Sequence, residues 1–267
     1  MIDAGTTVGL VDGVSPSEAQ LEPINVSPNH RIARPVMLQG WKDLASIHWP
    51  YDPALVQALL PDAYRVDTFD DAAWVGVIPF RMERVRLPGL LPLGPLSTFP
   101  ETNVRTYVVD SLGRRGVWFA SLDVSRLLPA VVARLTYQLP YAWASMSIER
   151  TGGEVRYRSR RRWPRGGAAS DLCVRVGAAL EPGAISALDH FLTARWALGS
   201  TLLRCPLWAE VEHDAWPLHR ADLVDGVETL TRAAGLPTPE AAPHVLWSPG
   251  VDVRIGAPRR LTNYKSD

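Results

Sequence analysis

The 267-residue chain balances 28 basic residues against 28 acidic ones, so its formal net charge is zero. That balance argues against a general nucleic-acid or anionic-membrane surface. Apolar residues make up 46 % of the chain and include ten tryptophans, enough for a sizeable core. The two cysteines, Cys173 and Cys205, lie far apart with no metal or redox spacing, which fits a reducing compartment. No basic segment followed by an apolar block opens the chain, and no run reaches the ~20 apolar residues of a membrane helix. The expectation is a soluble, cytoplasmic protein with no membrane or nucleic-acid partner.

Residues 1–34 are rich in Gly, Pro, Ser and Asp and lack periodicity, which predicts a flexible N-terminal arm ahead of one domain over 35–267. Asp52 caps and Pro53 opens a predicted helix whose apolar side is Leu55, Leu59 and Leu60, stopped by Pro61. Arg65–Phe69 and Ala73–Phe80 read as paired strands around Asp70-Asp71. Residues 87–98 hold too many prolines for helix or central strand; being strongly apolar, they fit a loop packed on the wall or a lid over a cavity. Arg105–Val109 and Gly116–Leu122 form a predicted hairpin, and Leu127–Thr136 a short helix. Ser145–Glu149 and Glu154–Arg160 pair across Thr151-Gly-Gly153, and Leu172–Val176 extends that sheet. Ala184–Trp196 and Asp225–Ala234 read as helices. Leu207–Val211, Val245–Trp247 and Val251–Ile255 read as strands. Many strands and few helices predict a mainly β (α+β) sheet or barrel with peripheral helices.

Glu101, Asn103 and Arg105 alternate along one predicted strand and therefore share a side, while Thr102, Val104 and Thr106 face the other. Such a row fits a solvent face or the polar lining of a cavity. In a cavity, Glu101 is a candidate general acid or base, and Arg105 either holds it ionised or binds a substrate carboxylate; the plain alternative is a self-satisfied buried ion pair. His48 lies in an apolar strand, where a lone histidine is more often a satisfied core residue than a ligand. Asp123 either ends its strand or reaches the cavity. Arg156, Arg158 and Arg160 alternate with Tyr157 and Ser159, as on the outer face of a strand. That face reads as solvated or as a homo-oligomer contact, with a phosphate or nucleic-acid site as the weaker alternative. His213 and His219 straddle Trp216-Pro217 without metal-ligand spacing, and no nucleophile elbow, phosphate-cradling loop or dinucleotide fingerprint is present.

Taken together, Phe99-Pro-Glu-Thr-Asn-Val-Arg-Thr-Tyr107, Gly116-Val-Trp-Phe-Ala-Ser-Leu-Asp123 and Ala133-Arg-Leu-Thr-Tyr-Gln-Leu-Pro-Tyr141 resemble the barrel core of the acetoacetate decarboxylase superfamily. The order of further landmarks resembles its YqjF-like branch of uncharacterised bacterial proteins: Gln39-x-Trp41, His48-Trp49, Asp67-Thr-Phe69, Trp74-Val-Gly-Val-Ile-Pro-Phe80, Phe191-Leu-Thr-x-Arg195, His213 and Trp216-Pro-Leu218. The resemblance implies an acetoacetate-decarboxylase-like β-barrel around a small-molecule cavity. It places Glu101 on a family glutamate, Arg134 on a family arginine, and Tyr141 where the decarboxylases carry their Schiff-base lysine. The chain's two lysines are Lys42 and Lys265, and arginine cannot form an imine at useful pH. The expected function is therefore a cofactor-free, metal-free acid–base enzyme of lyase or isomerase type (isomerisation, dehydration or cyclisation) acting on a carbonyl or carboxylate compound. Glu101, Tyr141 and Arg105 would be catalytic; Arg134, Asn103, His48 and Asp123 would bind substrate. The rival readings are a non-catalytic ligand-binding protein and an interaction scaffold using the arginine-rich strand.

Overall fold

Long β-branched and aromatic stretches with period-2 alternation build long strands, and the computed structural model describes them over residues 20–126, 139–164, 167–203 and 205–261. In chain order they are β1 (Met37–Tyr51), β2 (Tyr64–Val66), β3 (Thr68–Phe69), β4 (Ala72–Arg86), β5 (Phe99–Asp110), β6 (Arg115–Val124) and β7 (Tyr141–Thr151). There follow β8 (Glu154–Trp163), β9 (Ala169–Ala179), β10 (Ala197–Leu202), β11 (Cys205–His213), β12 (His219–Glu228), β13 (His244–Ile255) and β14 (Arg259–Arg260). Three short helices punctuate them: α1 (Pro53–Gln57), α2 (Ala187–Thr193) and α3 (Leu230–Ala233).

These strands form one sheet that closes on itself by two routes. One circuit runs β6–β7–β8–β9–β12–β13–β1–β4–β5 and back to β6; the other leaves β13 through β11 and β10 to reach β6. Five strands, β13, β1, β4, β5 and β6, thus form a wall shared by both circuits. Neighbours are mostly antiparallel, but β6 meets both β7 and β10 in parallel. A shared wall must be covered on both faces, which explains why β4 and β5 are buried almost without interruption. One face packs Ile47, Trp49, Val75, Val77 and Val104 against Val155, Tyr157, Leu172 and Val174. The other carries Tyr107, Val117 and Leu122 against Ala209 and Val211, with Leu44, Ile78 and Phe80 beside them.

A bulge lets β1 serve both cores. Between Lys42 and Ile47 its pairing with β4 slips by one residue, with Asp43 at φ 48°. Across from Lys42 on β13, Gly250 sits at φ 116°, and a Cβ there would strike the Trp41 carbonyl. Odd residues before the bulge (Gln39, Trp41) line the second core's cavity, whereas odd residues after it (Ala45, Ile47, Trp49) pack into the first.

Several expectations change. Tyr64–Val66 pairs with β5, and only Thr68–Phe69 turns back onto Ala72–Ala73. In α1, Asp52 caps by accepting from the Ala54 amide at 2.8 Å, but Val56 and Leu60 are the buried residues and Leu55 is exposed. The predicted helix Ala184–Trp196 contracts to α2, opened by a Ser186–Asp189 capping box. The predicted helix Asp225–Ala234 is split: Asp225–Glu228 are strand paired with β9, α3 keeps Leu230–Ala233, and Gly235 follows at φ 98°. The leucines of residues 87–98 do not pack on the wall: Leu87, Leu90, Leu91, Leu93 and Leu96 are exposed, while Ser97 is buried in a short turn against β4. Within the predicted arm, residues 20–34 are strapped down: Glu22 accepts from the Arg115 amide, Asn25 from the Trp196 indole and Ile32 is buried. The predicted helix Leu127–Thr136, with Arg134, and residues 1–19 lie outside the described residues. No described helix is long and apolar enough to cross a membrane.

Candidate active site

The second circuit encloses a cavity of about 80 Å³ lined from β1, β4, β5, β6, β10, β11 and β13. Alternation on β5 delivers Glu101, Asn103 and Arg105 into it together; Tyr141 at the start of β7, Arg195 after α2 and His213 at the end of β11 also line it. Buried polar groups normally find partners. Among the described residues ten buried side-chain atoms have none, and five of them belong to residues of this one cavity: Trp41 Nε1, Glu101 Oε2, Asn103 Oδ1, Arg105 Nε and Arg195 Nη2. Unmet donors and acceptors concentrated in one enclosed space are available to a polar ligand or to water.

Glu101 and Arg105 do not pair, so neither the expected ionisation of Glu101 by Arg105 nor the self-satisfied ion pair is present among the ion pairs of the described residues. Burial, reinforced by the Asp123 charge, pushes the Glu101 carboxyl up to about 8, so it is a neutral acid at pH 7. Arg105 donates instead to the Leu192 carbonyl at 3.0 Å and the Tyr107 hydroxyl at 3.3 Å. Arg195 is held by Asp67 at 2.6 Å and the Phe191 carbonyl at 2.8 Å, with its guanidinium over the Phe191 and Tyr107 rings. Both arginines are thus fixed in place, with Arg105 Nε and Arg195 Nη2 left without a partner.

His213 completes the cavity from the opposite strand. Its Nδ1–H donates to the Asp214 carbonyl at 2.7 Å, which leaves Nε2 as the lone-pair nitrogen. Burial lowers it to about 4, and Trp41, Trp196 and Trp216 surround the ring.

Two expected substrate ligands are elsewhere. His48 is fully buried between the Ser46 hydroxyl at 3.2 Å and the Tyr107 hydroxyl at 2.6 Å, outside the cavity lining. Tyr107 gives its proton to the Leu192 carbonyl, so His48 donates through Nε2 and accepts from Ser46; it is the satisfied core histidine of the plainer reading. Asp123 sits opposite Thr102, on the face turned from the cavity, and is clamped by Arg161 at 2.6 Å. It acts on the site only through its charge on Glu101. Arg134 lies outside the described residues. Gln39, Trp41, Arg195, His213 and Trp216 were sequence landmarks without a role; the signal available for Gln39 and Trp41 was their alternation on one strand. Arg156 and Arg158 pair with Asp171, Asp225 and Glu149 on an outer face. Among the described residues no group of three His, Cys, Asp or Glu is placed to hold a metal ion.

The closed sheet and buried cavity define an acetoacetate-decarboxylase-like fold. MppR, an enduracididine biosynthesis enzyme solved in complex with pyruvate, superposes with a TM-score of 0.59 at 14 % identity, covering 89 % of this chain and 95 % of that one. An acetoacetate decarboxylase-like enzyme from Sphingomonas wittichii RW1 gives a TM-score of 0.58 at 16 % identity, covering 86 % and 94 %. Within this fold the chain belongs to the DUF2071 family of uncharacterized conserved proteins, whose pattern it matches over residues 38–252. It is 33 % identical over 218 residues to the uncharacterized protein YqjF of Bacillus subtilis (strain 168), covering 82 % of this chain and 89 % of YqjF.

Proposed function

We propose that the cavity binds a small carbonyl or carboxylate compound and that the protein is a cofactor-independent acid–base enzyme performing an isomerisation, dehydration or cyclisation, without an imine. The observation that carries this reading is the convergence of a neutral Glu101 with unspent N–H groups of Arg105 and Arg195 in one buried cavity. A ligand carboxylate answers the guanidinium groups with charge-assisted hydrogen bonds. Asn103 orients the ligand, Glu101 donates a proton, and the Tyr141 phenol polarises the carbonyl. His213, neutral with a free Nε2 lone pair, accepts the proton. Two titratable groups pushed to opposite sides of pH 7 form a matched acid and base. MppR, with pyruvate in its structure, supports a ligand of this size in this fold. Tyr141 at the lysine position removes the Schiff-base route.

The test is untargeted metabolite profiling of a cell extract incubated with wild-type protein and, separately, with Glu101→Gln. The expected outcome is a compound consumed by wild type and spared by the variant, with turnover lowered by about 10²–10⁴-fold. If a compound co-purifies unchanged and none is consumed, the protein is a ligand-binding protein and the catalytic roles fall.

A further inference from the structure

A second, larger basin adjoins the cavity. Gln39 and His213 line both, and from there the basin, about 560 Å³ in volume, spreads between the strap 27–31 and the ends of β1, β4, β11 and β13. Four guanidinium groups (Arg31, Arg84, Arg86 and Arg254) face three carboxylates (Glu212, Asp214 and Asp252) across it. Arg84 is neutralised by Asp252 at 2.6 Å, and Arg254 lies 3.6 Å from Glu212. Glu212 is already committed to the Ile32 amide at 2.6 Å. Arg31 and Arg86 have no acidic partner among the described residues, and Arg86 reaches only the Arg84 carbonyl, at 3.3 Å. His30 adds a buried Nε2 with no partner, its Nδ1 being 3.2 Å from Asn29 Oδ1. The basin therefore carries a surplus positive charge and unmet hydrogen-bonding groups beside the mouth of an anion-seeking cavity.

We propose that cavity and basin form one bipartite site for an organic acid with two anionic ends: its reacting end sits between Arg105 and Arg195, and its second carboxylate or phosphonate-type group sits on Arg31 and Arg86. This rests on the carbonyl–carboxylate reading above and narrows its substrate class. Planar guanidinium forks suit either group, and Gln39 and His213, which line both spaces, are the residues such a ligand would pass. The outer arginines then supply selectivity, because an acid lacking the far anion leaves them unanswered.

Isothermal titration of purified full-length protein checks this. The probes are 2-oxo diacids from oxaloacetate to 2-oxopimelate, 2-oxo monoacids of matched length, and 2-oxo acids ending in a phosphonate. The expected result is at least about tenfold tighter binding of one doubly charged series over the matched monoacid, with the ratio collapsing towards one in the Arg31→Gln/Arg86→Gln double variant. Whichever series, diacid or phosphonate, loses more in that variant identifies the far group. Arg105→Gln should weaken monoacid and diacid alike. If the doubly charged acids bind no tighter than the monoacids, or the double variant keeps their advantage, the bipartite site is wrong while the cavity reading stands. If wild type binds none of the probes, or Arg105→Gln leaves monoacid binding untouched, the cavity reading fails and takes the bipartite site with it.

Discussion

Glu101 and Arg105 share one face of β5 yet do not neutralise each other, and strand geometry accounts for it. At about 3.3 Å per residue, four positions separate their backbones by about 13 Å, too far for direct contact when both side chains point across the cavity. Glu101 is left with burial and the Asp123 charge, which raise it from 4.5 to about 8. The unfolded chain ionises Glu101 near 4.5 and the native state only near 8, so in that interval the native state holds one more proton. The Glu101 contribution to stability is therefore greatest below about pH 4.5 and falls by about 1.4 kcal/mol per pH unit until about pH 8. Glu101→Gln should abolish this loss: urea midpoints of wild type and variant should lie close at pH 4 and separate at pH 9, with the variant more stable. Coincident midpoints at pH 9 would show that Glu101 ionises normally. In the proposed reaction the same groups set the pH profile. Glu101 is a donor below about pH 8 and His213 an acceptor above about pH 4, so turnover of an identified substrate should plateau between those limits and decline outside them. A rate still rising above pH 9 would remove Glu101 as the donor. The β5 row was legible in the sequence because period-2 alternation needs no tertiary information. The missing ion pair and the role of His213 were not, because each depends on which strands face one another.

At the level of elements, His48 on β1, Gly76 on β4 and Arg105 on β5 lie in one cross-strand row. The His48 ring fills the space above Gly76, where an added Cβ would collide with it. That ring reaches the Tyr107 hydroxyl, which in turn accepts from Arg105. Gly76→Ala must therefore displace a fully buried, hydrogen-bonded histidine. We expect a loss of about 1–3 kcal/mol in denaturant unfolding, and weaker ligand binding through the loosened Arg105. Wild-type stability in that variant would mean the ring is free to move. The hairpin Arg105–Val109/Gly116–Leu122 and the pairing of Ser145–Glu149 with Glu154–Arg160 were readable from alternation bounded by turn residues. The first half of the predicted Asp225–Ala234 helix was misread because its charged and apolar spacing suits either period, and pairing of Asp225–Glu228 with β9 decided for strand; Leu230–Ala233 is helical as expected. The exposed leucines of residues 87–98 were misjudged for a related reason: apolar composition says nothing about whether a neighbour is there to cover it.

Across the whole molecule, closure of the sheet by two routes depends on tying remote segments together, and Asp67 does this with one carboxylate. It receives Arg115 from the start of β6 and Arg195 from the turn after α2, while Arg115 also donates to the Glu22 carbonyl at 2.7 Å. The strap, the shared wall and the cavity arginine thus meet at a single buried acid, 4 % exposed. Removing one partner from such a cluster leaves uncompensated buried charge, whereas an exposed pair is screened by water. Asp67→Asn should therefore cost about 3–5 kcal/mol and free Arg195 to swing, lowering ligand affinity. Asp171→Asn, which takes one of two carboxylate partners from each of Arg156 and Arg158 on the outer circuit, should shift the melting temperature little and leave ligand binding unchanged. The two variants remove the same charge and the same number of arginine ion pairs, so a difference between them reports burial together with the second carboxylates that Arg156 and Arg158 retain. Equal melting temperatures for both would mean that Asp67 does not hold the two circuits together. A large loss in Asp67→Asn with full ligand affinity would mean that Arg195 is positioned by Phe191 alone.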